Sequence, residues 1–460
     1  MTVPAVVIAA PASGSGKTTV ATGLMGALRR AGHSVAPFKV GPDFIDPGYH
    51  ALAAGRPGRN LDPVLVGDGM IGPLYRHGSA ACDLAVVEGV MGLFDGRIDP
   101  RGGVPARGST AHVAGLLGAP VVLVVDARGQ SHSVAALLHG FTNFDSGFEP
   151  RARIVGVILN RVGSPRHADV LRQACEHAGV PVLGVIPRAD ELSVPSRHLG
   201  LVTAVEHGQL AKRAVEAMTE LVARHVDLAA VVNAATAHVD DASWDPAFAD
   251  PVADGVTVAL AAGKAFSFGY PEHAELLAAA GAHVIPFDPL TDALPATTAA
   301  LVLPGGFPEQ YGPELSANQV ARQQINALAA SGAPVHAECA GLTYLVDDLD
   351  GLPMCGVLSG SAHFTERLTL GYRDAVAPVN SSLHPAGTRA SGHEFHRTAV
   401  TFTRSYESAW AFRGSEATTV ADGAVDRGVH AAYLHTHAAA HPDAAVRFVA
   451  AAAATSKLAR

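Results

Sequence analysis

Ser13-Gly14-Ser15-Gly16-Lys17-Thr18-Thr19 follows directly on an apolar run, residues 3–10, and leads into an Ala/Leu-rich stretch. Few folds accommodate that order. The apolar run reads as a buried strand, the two glycines as a tight turn, and Lys17 as the first residues of a helix. Such a turn aims several backbone N–H groups at one point, and the helix N-terminus adds positive potential there. The arrangement favours an anion, and the spacing favours nucleotide phosphates. Gly14, Ser15, Gly16, Lys17, Thr18 and Thr19 are the expected nucleotide-binding residues, with Lys17 on the β/γ-phosphates and Thr18 on Mg2+. One departure is Pro11, where the full GxxxxGK[ST] pattern has glycine.

The strand–helix rhythm continues. Short β-branched runs at residues 34–40, 84–88, 121–126, 154–160 and 182–186 alternate with helix-compatible segments. Apolar runs without alternation imply strands covered on both faces, hence a parallel sheet between helices. Residues 227–255 carry small, acidic and proline residues with no core period and read as a linker. The rhythm then restarts at residues 256–261, 283–287, 300–303 and 334–337, with later strands near 371–379, 398–402 and 429–434. The expected fold class is α/β: an N-terminal P-loop NTPase domain (1–226), a linker (227–255) and a C-terminal α/β domain (256–460).

Composition excludes several classes of function. A formal net charge of -9 with no basic stripe argues against nucleic acid as a partner. Cys82, Cys175, Cys339 and Cys355 form no CxxC pair, which argues against disulfides or structural zinc and for a reducing cytoplasm. The opening apolar run lacks a basic n-region and passes straight into the glycine loop, so it reads as a strand rather than a signal peptide. The longest apolar stretch, residues 110–127, is interrupted by His112, Gly118 and Pro120, so no membrane partner is expected.

Acidic groups gather near the phosphate loop in this reading. Asp43 and Asp46 follow the strand at 34–40, Glu88 ends the strand at 84–88, and Asp95 comes shortly after. Ligands of open parallel sheets sit at the carboxyl ends of strands, where these groups should meet. Thr18, Asp43 and Glu88 are the expected Mg2+ ligands. A plainer role for Asp43 or Asp46 is to cap the next helix. Asn160, ending a later strand, is a candidate contact for the base.

Cys339 follows the strand at 334–337 with Gly341 two residues on. A tight strand-to-helix turn exposes a nucleophile and lends N–H groups to an oxyanion hole. Leu303-Pro304-Gly305-Gly306-Phe307-Pro308-Glu309 offers further donors. A neutral thiol needs a base, and His435 is the candidate. His435 and His437 could instead share a face as zinc ligands, but no third ligand stands at suitable spacing.

Taken together, Pro42-Asp43-Phe44-Ile45-Asp46-Pro47, residues 88–96, Ser196-Arg197-His198-Leu199-Gly200-Leu201, Ala265-Phe266-Ser267-Phe268, residues 304–309 and Gly392-His393-Glu394-Phe395-His396 resemble the a,c-diamide synthases of corrin biosynthesis. The resemblance covers nearly the whole chain. It implies a dethiobiotin-synthetase-like ATPase domain joined to a class I, triad-type glutamine amidotransferase domain. It further implies ATP, L-glutamine and hydrogenobyrinic or cobyrinic acid as substrates, an acyl-phosphate intermediate, and amidation of side chains a and c. Lys17, Thr18, Asp43, Asp46, Glu88 and Asp95 match the ATP/Mg2+ and carboxylate-activating side; Cys339 and His435 match the glutaminase side. The chain departs from common triad amidotransferases at Ala337, Ala340 and His437, the last standing where a His-x-Glu pair has glutamate. Arg367, Arg373, His393 and His396 are candidate partners for corrin carboxylates.

Two other readings stay open at this point: amidation of another tetrapyrrole, and a partitioning-type nucleotide switch with a degenerate amidotransferase domain. A homodimer is one assembly the sequence allows, and it leaves the oligomeric state undecided.

Overall fold

Seven strands form the first sheet: β1 (Ala5–Ala9), β2 (Val35–Val40), β3 (Arg59–Leu61), β4 (Leu84–Glu88), β5 (Val121–Asp126), β6 (Ile154–Val162) and β7 (Val182–Pro187). All pair in parallel, in the order β3-β2-β4-β1-β5-β6-β7. The computed structural model describes residues 2–98, 106–188, 196–197, 200–247, 251–414 and 418–458. His198 and Leu199 of the 196–201 motif, and Asp250 of the expected linker, lie outside the described residues.

The chain divides into two units, Met1–Asp245 and Pro246–Arg460. In the first, β1 and β2 are buried along their whole length, which is why their sequences run apolar without alternation. Helix α1 (Lys17–Arg30) starts at Gly16, and α2 (Asp46–Ala54) has Pro47 in its first turn, a position that needs no N–H. Strand β3 was not legible, because Arg59-Asn60-Leu61 has no apolar run; its pairing with β2 makes it a strand.

The first unit runs to Asp245 rather than stopping at residue 226. Asp227 caps the Leu228–Ala234 helix, and Ala5 and Thr236 exchange backbone hydrogen bonds of 3.3 and 3.0 Å. His238 donates to Leu117 at 2.9 Å, and Val231 and Val239 are buried. Small residues let this stretch pair with the start of β1, the central strand of the sheet, where small, acidic and proline composition suggested a tether.

The second unit opens with a short-range parallel sheet. We number its strands β8 (Val256–Ala261), β9 (Ala282–Phe287), β10 (Ala300–Leu303), β11 (Val335–Glu338), β12 (Leu358–Val376), β13 (Arg389–Phe402), β14 (Ala424–Asp426), β15 (Val429–Ala432) and β16 (His435–Thr436). The order β9-β8-β10-β11-β15-β14 is parallel except for the last pair. Beside it, β12 and β13 form a long antiparallel ribbon, far longer than the strands expected at 371–379 and 398–402. The expected strand at 429–434 is broken instead. Tyr433 and Leu434 both give their N–H to the Asp422 carboxylate at 3.0 Å, and the chain leaves β15 to pair His435 with His393 of β13. That change of sheet sets the position of His435.

Candidate functional sites

In the first unit, Gly14 and Gly16 take positive φ of 78° and 97° between β1 and α1. Gly16 has a second constraint: a Cβ there would stand 2.3 Å from Asn160 Nδ2. Left-handed backbone is supplied by these two positions, so proline at position 11 is tolerated. Asn160 donates to the Ser15 carbonyl at 2.9 Å, and Arg161 donates to that of Gly14 at 2.7 Å. Asn160, expected at a base, therefore holds the loop in this structure. Ser15 Oγ donates to the Ala12 carbonyl, and Lys17 Nζ to those of Ala12 and Met91. Thr19 follows Thr18 in the first turn of α1 and is only half-buried.

The acidic residues converge beneath that loop. Thr18 Oγ1 lies 2.7 Å from Glu88 Oε1 and 3.2 Å from Asp46 Oδ2. Lys39 Nζ donates to the same two oxygens, 3.0 Å from Glu88 and 2.7 Å from Asp46. His50 Nε2 lies 2.6 Å from the other Glu88 oxygen. Asp43 is partly spent on structure: its Oδ1 accepts the N–H groups of Ile45 and Asp46, and its Oδ2 is 3.9 Å from Lys39. Asp95 Oδ2 accepts the Gly92 N–H at 2.9 Å, closing the turn after β4. Burial alone would raise the Glu88 carboxyl, but Lys39 and His50 hold it well below its usual value. Asp46 goes the other way: burial and the Asp43 charge push it up to about 7. Burial and Lys39 lower Lys17.

Thr18, Asp46 and Glu88 present hard oxygens of the kind Mg2+ takes together with phosphate and water, so the donor set fits that ion. Among the described residues no group of three His, Cys, Asp or Glu side chains forms a metal cage by itself. Asp46, rather than the Asp43 expected from the sequence, stands beside Thr18. Lys39 and His50 escaped the sequence reading altogether; the one available signal was a lysine inside an otherwise apolar strand.

In the second unit, Cys339 sits at the turn out of β11 with φ 50° and ψ -100°, a strained backbone for a residue with a Cβ. The bend has the form of a strand-to-helix elbow, although Cys339 itself is buried rather than exposed. Burial and the Glu309 charge push its thiol up, while the N–H groups of Gly306 and Ala340 pull it down. Burial thus favours the neutral thiol over the thiolate. Gly305, next to Gly306, packs against the base candidate: a Cβ at Gly305 would lie 2.2 Å from His435 Cε1. The one turn after β10 thus touches both Cys339 and His435.

His435 is fully buried, with Nδ1 3.7 Å from Glu338 Oε2. The other oxygen of Glu338 accepts the N–H and Oγ1 of Thr436, each at 3.0 Å. His437 points elsewhere; its ring stacks on Tyr270 with centroids 4.2 Å apart, and its Nδ1 accepts the Ala439 N–H. Of the residues suggested for corrin carboxylates, Arg373 is paired with Glu394 at 2.6 Å, and His396 stacks on Tyr433 at 3.8 Å. His393 is buried, and Arg367 is exposed.

Residues 6–202 match a family model described as CobQ/CobB/MinD/ParA nucleotide binding domain, and 257–443 one described as CobB/CobQ-like glutamine amidotransferase domain. A protein of Mycobacterium tuberculosis named hydrogenobyrinate a,c-diamide synthase is 69% identical, covering 98% of this chain and 99% of its own length. The chain belongs to the a,c-diamide synthase family. A relative of the same name from Streptomyces coelicolor is 55% identical over 97% of both chains. A cobyrinate a,c-diamide synthase of Syntrophotalea carbinolica is 40% identical over 98% of both. As a family member the chain is an enzyme of the amide-forming ligase type, with a nucleotide-binding unit and a glutamine amidotransferase unit. Among the described residues no helix is long and apolar enough to cross a membrane.

Proposed function

We propose that this synthase amidates the a and c carboxylates of hydrogenobyrinic acid, using ATP to activate each acid and glutamine as the nitrogen source. One observation carries the reading: relatives named for that reaction are 69% identical through both units. The relatives named for the cobalt-containing acid lie lower, near 40%, which favours the metal-free macrocycle.

In the first unit a substrate carboxylate oxygen attacks the γ-phosphorus of ATP, ADP leaves, and an acyl phosphate results. The Gly14–Thr19 loop holds the phosphates, and Lys17 moves from the carbonyls of Ala12 and Met91 onto them. Thr18, Asp46 and Glu88, with Asp43 beside them, would hold Mg2+, which neutralises charge on the transferring phosphoryl group. Lys39 fixes both carboxylates, and Asp95 keeps the turn after β4 closed around Lys17. The acyl phosphate matters because a free carboxylate repels nucleophiles and has no adequate leaving group.

In the second unit Cys339 Sγ attacks the glutamine amide carbon while His435 removes the thiol proton and passes it to the departing nitrogen. The N–H groups of Gly306 and Ala340, which lie against the Cys339 sulfur, would receive the developing oxyanion. Water then hydrolyses the thioester to glutamate. The ammonia displaces phosphate from the acyl phosphate, forming the amide.

The test uses purified protein with ATP, glutamine and each macrocycle, counting amides by mass. Two mass shifts with hydrogenobyrinic acid are expected, and Cys339→Ala should lose glutamine use while keeping activity with ammonium salts. Absence of ATP and glutamine consumption with either acid rejects the reading.

A further inference from the structure

We propose that Glu338 is a positioning residue of the thiol site, orienting His435 and offsetting the charge His435 gains when it takes the Cys339 proton. The inference rests on the amidotransferase reading above and concerns a residue that precedes the nucleophile itself.

Three observations converge on it. First, Glu338 is held: Oε1 accepts two hydrogen bonds from Thr436, the residue after His435, so the carboxylate and the imidazole are pinned to one short segment. Second, the free oxygen faces the right atom. Glu338 Oε2 is 3.7 Å from His435 Nδ1, longer than a hydrogen bond but within ion-pair reach, and catalytic contacts of this kind often shorten once substrate binds. Third, the position from which triad amidotransferases draw their carboxylate is His437 here. Its ring is committed to Tyr270 and Ala439 and faces Glu272, with Nε2 3.9 Å from Oε2. The carboxylate missing from position 437 is thus replaced from the opposite side of the site, through β11.

The chemistry follows from the imidazole's two nitrogens. A carboxylate at Nδ1 keeps the proton there and leaves Nε2 as the base. When Nε2 accepts the thiol proton the ring becomes cationic, and Glu338, held below the usual carboxylate range despite its burial, stays ionised beside it. Glu338 takes no proton at any stage, so the balance of the reaction is unchanged. A competing role exists. His336 Nε2 lies 3.5 Å from Glu338 Oε1, and the carboxylate could serve only to hold that side of the sheet together.

A double-mutant cycle in the full-length protein separates the two. Glu338→Gln keeps an acceptor for Thr436 and removes the charge. Glutamate release, ammonium-driven amidation and alkylation of Cys339 by iodoacetamide, mapped by mass, are measured in wild type, Glu338→Gln, His435→Ala and the pair. Glu338→Gln should lower kcat for glutaminase about 100-fold or more, the scale of losing a base-orienting carboxylate, with KM within about threefold. Ammonium-driven amidation should stay within about twofold, and in the His435→Ala background the substitution should change Cys339 alkylation by less than about twofold. An equal loss in both backgrounds, or a single mutant that keeps kcat within about threefold, overturns the proposal. Should Glu338→Gln prove insoluble, the same cycle with Glu338→Met, which also removes the charge at similar volume, is read by the same criteria. Cys339→Ala that still uses glutamine rejects the underlying amidotransferase reading, a result separable from all of these.

Discussion

Lys39 donates to Asp46 across 2.7 Å from within a strand whose six residues are all buried. The lysine also reaches Glu88, which has no exposed surface, so one ammonium balances two interior carboxylates. Burial works against its charge, but the carboxylates win and raise its pKa. A buried charge left without its partner is far costlier than the pair is favourable. Lys39→Met should therefore destabilise the first unit by about 3–5 kcal/mol and abolish ATP-dependent amidation, read by thermal unfolding and by mass. Unfolding unchanged from wild type would show that the carboxylates are compensated some other way.

Asp46 ties stability to pH. Its folded pKa is raised from 3.8 to about 7, so the folded state holds this proton more tightly than the unfolded chain does. Its contribution is therefore greatest below the ordinary carboxylate value and is lost as pH rises towards 7. Asp46→Asn cannot lose that proton. Relative to wild type it should gain stability between pH 5 and 7, by at most about 1.4 kcal/mol per pH unit. Denaturant titrations at fixed pH give the difference, and a flat difference across that window contradicts the assignment.

Gly305 leaves room for the imidazole of His435. Alanine there would place its Cβ 2.2 Å from Cε1, and a fully buried ring can yield only by leaving its position. A shift on the ångström scale costs about 100-fold in rate. Gly305→Ala should thus lose glutaminase kcat by roughly that factor while ammonium-driven amidation survives. Steady-state assays with each nitrogen source check it; equal losses in both would point to general misfolding.

Gly16 is constrained twice, by φ and by Asn160. Gly16→Ala should raise the ATP KM at least about tenfold, as left-handed backbone alone costs roughly 1–2 kcal/mol with a Cβ. Adding Asn160→Ala removes the clash at Nδ2 but not the backbone cost, so the double mutant should recover part of the loss. A double mutant worse than Gly16→Ala would show that Asn160 matters more for holding Ser15 than for crowding position 16.

Local pattern carried much of the fold. β4, β5, β8 and β10 fall on the expected residues, because strands buried on both faces need uninterrupted apolar runs. β3 was hidden, its three residues being a strand only through their neighbour β2. The ribbon of β12 and β13 was underestimated because its half-exposed residues mix polar and apolar side chains with no clean alternation. The break after β15 was invisible for a different reason: Asp422, which accepts the N–H groups of Tyr433 and Leu434, lies 11 and 12 residues upstream of them in a separate strand.

The amino-acid order by itself determined that a glycine–lysine turn follows the first strand and that a cysteine follows a later one, since both are consequences of neighbouring residues. Which carboxylates meet Thr18, that Lys39 stands among them, and that Glu338 faces His435 were decided only in three dimensions. Those contacts join residues far apart along the chain, and charge is compensated in an interior by whatever the fold brings near, not by what lies next in sequence.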